Sequence, residues 1–323
     1  MMLLLLRRLG QMLFVMFGIS VLAFAIFFAT PGSDPSARIA GRNAAPETLI
    51  QVRHDFGLDR PLPVQYVLLM KRLFVTGDLT SFVNRGQKVV PEIIAATPVT
   101  LSLVLGAALL WIVAAGVIGT LAAATRGSWL DRGLMIAGLI GVSMPVYWLG
   151  SVLNLFAQSR MHDSLLFSWV PPLGYIPLSE DPFGWFKTLV IPWFTLAVLY
   201  AGLYGRILRG ALIESLQEDY IRTARAKGLS ESRILLRHAL RCSLISVVTL
   251  FGLDFGALVG GGALLAEVVF ALPGIGKLTF DALQTLDLPV IMATVIYASF
   301  FIVASNAVVD IAYGFIEPRM RDA

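Results

Sequence analysis

Long apolar runs separated by short polar breaks dominate this chain. Six stretches, near 9–30, 99–124, 133–157, 188–208, 244–270 and 289–314, are mostly apolar, each at or above the length of about 18 residues that an α-helix needs to span a bilayer's hydrocarbon core. The pattern predicts an all-α integral membrane protein with six transmembrane helices and a long polar loop after the first. The first run follows Arg7 and Arg8, exceeds a typical signal-peptide core and ends in "ATPGSDP" with no small-x-small site, so it is expected to be a retained span. The expected divisions are 1–30 (tail and first span), 31–98 (loop), 99–314 (membrane domain containing a polar loop, 210–243) and 315–323 (tail).

The loop 31–98 is punctuated by Pro31, Pro35, Pro46, Pro61, Pro63 and Pro91. Within it "APETLIQVRHDFGL" predicts a short amphipathic helix with Leu49, Val52 and Phe56 at helical spacing, closed by Gly57. "PLPVQYVLLMKRLFVTGDL" predicts a second, its apolar face lying on the membrane surface. Ordered loops of this length usually have a role, so docking or plugging is expected. In the loop 158–187, Trp169, Tyr175 and Trp185 suit the headgroup interface.

Composition agrees with the pattern: 57% of residues are hydrophobic and 14% charged, with a mean hydropathy of +0.79. Charge is about half the ~25% of soluble domains. Lys and Arg then set the orientation. With the N-terminus in the cytoplasm, fourteen fall on cytoplasmic segments, against Arg160, Lys187 and Lys277 on the two short outer loops. The 31–98 loop is too long to vote. Both termini are therefore expected inside, and the net charge of +4 needs no nucleic-acid partner. The lone Cys242 excludes an internal disulfide, and His54, His162 and His238 share no ligand spacing, so no metal site is expected.

One segment breaks the apolar pattern. "EDYIRTARAKGLSESRILLRHALR", Glu218–Arg241, holds nine charged residues in 24. Ile213, Leu216, Tyr220 and Ala224 recur on one face of a helix, and Glu218, Arg222 and Arg225 on the opposite one. Asp219 and Lys227 suit the helix dipole, and Gly228 can take the left-handed position that ends the helix. Ser230 can cap a second helix, with Glu231 in its first turn, that runs straight into the fifth span. The block thus predicts helix, glycine elbow, helix. A short capped helix of this kind suits insertion into a groove on another protein.

"DYIRTARAKGLSESRILLRHALR" resembles the cytoplasmic signature of the permeases of peptide-type ABC importers, the dipeptide and oligopeptide family that also includes nickel and glutathione importers. Arg222, Thr223 and Ala224 stand at the Glu-Ala-Ala positions of the wider family loop, and Gly228 at its glycine. "TPGSDPSARIAG", "FGLDRPLPVQY", "TGDL", "SMPVYWLG", "EVVFALPGIGKLTFDAL" and "VVDIAYGFIEPRMR" are similar to further family segments and follow the family order. Three positions depart from the pattern. Ser246 replaces a usual proline, Cys242 stands where asparagine is common, and "GDLTSF" differs from Gly-Asp-Leu-Gly-x-Ser.

The resemblance implies the first permease subunit of a type I ABC importer in a bacterial or archaeal inner membrane. It implies a sister permease completing a heterodimeric pore, two ATPase subunits and an extracytoplasmic solute-binding protein. Leu216, Glu218, Asp219, Tyr220, Arg222, Thr223, Ala224 and Gly228 would form a coupling helix near 215–228 seated in an ATPase cleft, with Ser230–Arg241 as its lever. The chain contains no G-x-x-x-x-G-K-[ST] run. ATP and Mg are therefore expected on the partner subunits, with no cofactor and no catalytic residue on this chain. Short peptides are the expected cargo, with nickel chelates or glutathione as alternatives.

Candidate pore residues come from the spans. Asp254 lies mid-span, where a carboxylate costs roughly 2.5–3.5 kcal/mol and each large aliphatic or Phe offsets about 0.3–0.6. It should face a cavity or a partner, and pore contact and interhelix pairing are left equal. Glu267, near the outer end of the span, reads as a gate or docking contact or as a wet boundary residue; Asp310 reads as interfacial. Gly252, Gly256 and Gly260, four apart, predict a close helix–helix seam. Pro145 should kink the third span, with Ser143, Met144, Tyr147 and Trp148 beside it as path-lining candidates or packed aromatics. A self-sufficient proton-coupled transporter using Asp254 or Glu267 is the alternative class; the elbow argues against it, and dependence on an ATPase in trans separates the two.

Overall fold

The computed structural model describes residues 2–28, 36, 46–84 and 86–316. Most of "TPGSDPSARIAG", the Asp310 side chain and the tail from 317 lie outside the described residues. Helix α1 (Met2–Phe28) is followed by two loop helices, α2 (Pro46–Phe56) and α3 (Leu62–Lys71), then by α4 (Val89–Ala124). Next come α5 (Trp129–Ser143), α6 (Val146–Leu155) and α7 (Pro182–Ser215). A short α8 (Asp219–Ala226) precedes α9, which is helical from Glu231 to Gly262. Finally α10 (Leu264–Val269) and α11 (Ile275–Thr285) fold back before α12 (Leu288–Ile316). Among the described residues five helices are long and apolar enough to cross a membrane, and α5 with the segment after it makes a sixth span if the bent pair counts as one.

Several boundaries differ from the sequence expectation. Helix α4 begins ten residues before position 99 because Pro91 is its third residue, where no intrahelical N–H partner is required. Helix α7 begins at Pro182 with Asp181 as its cap, whose carboxylate accepts from the Phe183 N–H at 3.0 Å. The third span is broken rather than kinked: α5 and α6 meet at 93°. Pro145 disfavours helical geometry at the residue before it, and Met144 is accordingly extended at φ −81°, ψ 121°.

Small residues bring the spans together. A side chain at Gly119 would come within 2.9 Å of the Gly205 carbonyl and of Leu208, so α4 and α7 approach backbone to backbone. Gly138 of α5 lies against Gly202 of α7 in the same way. Around this seam Leu103, Trp111, Leu189, Tyr204, Leu208 and Leu212 form the centre of the main core. A second core joins Phe24 and Phe28 of α1, Leu69, Leu79 and Phe82 of the loop, and Leu288, Ile291 and Met292 of α12.

The first long loop docks on its own chain. The Tyr66 hydroxyl of α3 lies 2.7 Å from Ser20 Oγ of α1, and its ring meets Phe17 and Phe24 edge-on. Ser81 Oγ and the Phe82 N–H both bond to the buried Asp287 carboxylate ahead of α12. Gly57 takes φ +69° at the end of α2, the left-handed geometry glycine permits. Tyr175 and Trp185 are half-buried against the bundle: Tyr175 reaches Ser102 Oγ at 3.2 Å, and Trp185 packs on Trp193 with rings 5.1 Å apart. Trp169 stays partly exposed and donates to the Leu166 carbonyl at 2.7 Å.

Candidate functional site

The charged block forms an elbow at one end of the bundle. Helix α7 stops at Ser215, and a turn over Leu216–Glu218 separates it from α8, so the face drawn from Ile213 to Ala224 is not one continuous helix. The carbonyl of Glu218 receives the first α8 bonds, from Ile221 and Arg222 N–H at 3.0 and 3.3 Å. Ile221 and Ala224 are buried in the same core cluster as Ile234 and Ala239 at the base of α9. Leu216 packs against that cluster from the turn. Glu218, Asp219, Arg222, Thr223 and Arg225 are exposed. Arg222 bonds to Asp219 at 3.2 Å and Thr223 caps back to the Asp219 carbonyl at 3.0 Å. Tyr220 is not part of the buried face, although its hydroxyl lies 2.5 Å from Ser215 Oγ and ties α8 to α7.

Gly228 makes the elbow. Its φ of +76° lets the Leu229 N–H reach back to the Ala224 carbonyl at 3.3 Å and its own N–H to Arg225 at 2.9 Å, the bonds of a left-handed helix end. Ser230 occupies the next cap position, but its hydroxyl makes no capping bond; its carbonyl accepts from Ile234 at 3.0 Å. Across the elbow Arg225 donates twice to Glu231, at 2.8 and 3.2 Å. The helix then runs through a π-helical turn, Ile234–Ala239, without a break into the span.

About three-quarters of the way along α9, Asp254 is half-buried and its Oδ2 accepts the Tyr204 hydroxyl of α7 at 2.6 Å. Trp111, Tyr200, Tyr204 and Phe251 cluster beside this bond, with ring separations of 4.7 to 6.3 Å. The glycine row on α9 lies against α12. A side chain at Gly252 would overlap Val309, one at Gly256 would come within 2.8 Å of the Ser305 Cβ, and one at Gly260 within 3.1 Å of the Ala298 Cα. Gly261, at φ +115°, ends α9.

Glu267 is not a wet boundary residue. It is fully buried, its Oε1 accepting from the Thr100 hydroxyl at 2.7 Å and its Oε2 from the Lys277 N–H at 2.8 Å. The Thr100 oxygen in turn accepts from the Ile275 N–H at 2.8 Å. One carboxylate therefore caps α11 and ties it to α4. By contrast Ser143 donates to its own helix, to Leu139 at 2.8 Å, and Tyr147 and Trp148 are exposed with Met144 half-buried beside them. Among the described residues no hydrogen bond or ring contact joins these four to Asp254 or Glu267.

The sequence reading missed one ion pair, between a buried Asp131 and a half-buried Arg209. Arg209 of α7 donates from Nε and Nη2 to Asp131 of α5, at 2.6 and 2.8 Å, and Asp131 also accepts from the Gly127 N–H at 2.9 Å. Ser128 and Asp131 read as a capping pair at the start of α5, with the Asp131 N–H bonded to Ser128 Oγ at 3.2 Å, and that ordinary role hid the partner across the bundle. Among the described residues no group of three or more His, Cys, Asp or Glu could hold a metal ion.

With this geometry in hand, comparisons with known proteins agree on one assignment. Residues 115–322 match the model of the binding-protein-dependent transport system inner membrane component, and residues 1–104 match its N-terminal companion. A Brucella abortus protein assigned as a peptide transport permease is 39% identical over 318 residues, covering 98% of each chain. The di/tripeptide transport system permease of Pseudomonas aeruginosa is 37% identical, covering 98% of this chain and 97% of its own. The dipeptide transport system permease of Alkalihalophilus pseudofirmus is 32% identical, covering 98% of both. A chain of the MetNI methionine ABC transporter, solved facing inward, shares the fold at a TM-score of 0.50 and 19% identity, covering 68% of this chain and 94% of its own. The chain belongs to the family of inner-membrane components of binding-protein-dependent transport systems, as a multi-pass permease.

Proposed function

We propose that this chain forms half of the translocation pore of an ATP-driven importer of short peptides. Helix α8 is its contact with a cytoplasmic ATPase subunit. The observation that carries this reading is the elbow. Helix α8 buries Ile221 and Ala224 against the base of α9 and leaves Glu218, Asp219, Arg222 and Arg225 exposed, while α9 continues from the elbow to Gly262. A push on α8 is thus delivered to the span that carries Asp254. Both termini lie in the cytoplasm, on the charge bias of the loops. A sister permease completes the pore, two ATPase subunits hold ATP and Mg, and a solute-binding protein delivers cargo to the other face. Peptide cargo is supported by the names of the relatives at 32–39% identity.

The test is uptake and ATP hydrolysis by the reconstituted complex of both permeases, both ATPases and the binding protein. Gly228→Pro forces φ near −65° where +76° is needed and removes the 2.9 Å bond of its N–H. Ala224→Arg drives a charge into the buried side of α8. Each is expected to abolish uptake and cargo-stimulated hydrolysis while both permeases still co-purify. Wild-type rates in both variants, or uptake by wild type without any ATPase subunit, would remove α8 from this role.

A further inference from the structure

Asp254 is the single charged residue between Arg241 and Glu267. Its Oδ2 is taken by Tyr204 at 2.6 Å. Its Oδ1 has no hydrogen-bond partner among the described residues and is not sealed inside the protein. No cation of the described residues pairs with it; Arg209, on the same helix as Tyr204, is committed to Asp131. A carboxylate at this depth without a cation is costly unless its free oxygen opens onto a path rather than lipid. A purely structural tie between α7 and α9 would have been met more cheaply by a neutral hydroxyl or amide pair.

The surroundings are aromatic. Trp111 and Tyr200 have ring centroids 4.7 Å apart, Trp111 and Phe251 5.9 Å, and Phe251 and Phe255 5.4 Å. Trp111 is fully buried, and its indole Nε1–H has no acceptor among the described residues. One carboxylate set among aromatic rings is the chemistry that recognises an organic ammonium.

We infer that Asp254, with Trp111, Tyr200 and Phe251 around it, is a mid-membrane station for the α-ammonium group of a peptide. The inference rests on the permease reading above and names the group that the pore holds. A permease that passes many side chains can select none of them, but every unmodified peptide carries the same amino-terminal ammonium and first carbonyl. A single carboxylate oxygen on a half-buried residue holds that group weakly enough to release it.

The assembled complex in proteoliposomes tests this with a radiolabelled alanyl-alanine probe delivered by the binding protein. Asp254→Asn should lower the maximal uptake rate by about tenfold or more, the effect of losing a charge-assisted bond, with the KM for loaded binding protein unchanged. Asp254→Glu should restore most of the rate. Tyr204→Phe, which removes the tie and keeps the carboxylate, should stay within about threefold of wild type, as expected for a neutral hydrogen bond. In detergent, without binding protein, millimolar alanyl-alanine should bind the wild-type complex and its N-acetyl derivative should not. The inference falls if Asp254→Asn transports at the wild-type rate. It also falls if Asp254→Asn and Tyr204→Phe lose rate and thermal stability in parallel, or if the complex binds both probe forms equally or neither. Failure of wild type to take up peptide with ATP would instead overturn the permease reading.

Discussion

Glu267 shows how far a single residue can depart from its sequence context. It stands near the end of an apolar run, where a carboxylate is cheap to solvate, and nothing in the spacing says that it is enclosed. Enclosure comes from the reversal after α10. Ala271 takes φ +52°, and Gly274 leaves no side chain to collide with the carboxylate. The N–H groups at the start of α11 are thereby carried back over it. Glu267→Ala should lower stability by about 2–4 kcal/mol, since charge-assisted bonds are worth about 1.5–3 kcal/mol and the orphaned donors remain buried. Thr100→Val, which removes one donor and one acceptor, should cost less, about 1–3 kcal/mol. Thermal unfolding of the purified protein in detergent ranks the two; equal shifts would overturn the ranking, and negligible shifts in both would show that the node contributes nothing to stability. Asp254 was more legible, because a lone charge in an apolar run demands a partner wherever the chain turns; which partner it took, Tyr204, depended on the α7–α9 pairing.

Among the elements, the α9–α12 seam was readable in advance and the ends of α8 were not. Glycines four apart mark a face regardless of what it meets, and the structure sets Val309, Ser305 and Ala298 against that face. Gly256→Leu should therefore separate the helices or force Ser305 aside, an overpacking cost of about 1–3 kcal/mol. Leu253→Ala, on the exposed side of the same turn, should change little. Comparing the two by detergent melting separates the seam from general helix propensity. Helix α8 was placed from Ile213 because Leu216 fits both the end of α7 and the start of a new face. Only the backbone turn at Leu216–Glu218 decides between them, and that turn has no proline or glycine to announce it. Pro145 did announce its break, but a 93° corner exceeds what one missing hydrogen bond implies. The extended conformation imposed on Met144 supplies the rest.

The whole molecule is a bundle of five spans, or six with the bent α5–α6 pair counted as one; the distribution of Lys and Arg predicts its sidedness, and the chain carries its own probe of it. Cys242 is the only cysteine, is exposed and stands at the base of α9. A membrane-impermeant maleimide should label it in inverted vesicles and leave it untouched in intact spheroplasts; the reverse pattern would turn the protein over. The helix count and the elbow were legible because a bilayer imposes length and apolarity on any span. A docking or plugging role for the first long loop was also expected, but not what it docks on, because its partners, Phe24, Phe28 and Leu288, are ordinary span residues until the chain has folded. That docking has a consequence for biogenesis. Helix α1 packs mainly on α12, which begins about 260 residues after α1 ends. At roughly 5–20 residues per second, the first span made waits tens of seconds in the bilayer for the last. During that interval its core-facing residues have mainly lipid and the loop that carries Tyr66 and Phe82 for company. A ribosome stalled before Leu288 would therefore leave α1 inserted but unclaimed, a ready substrate for membrane quality control.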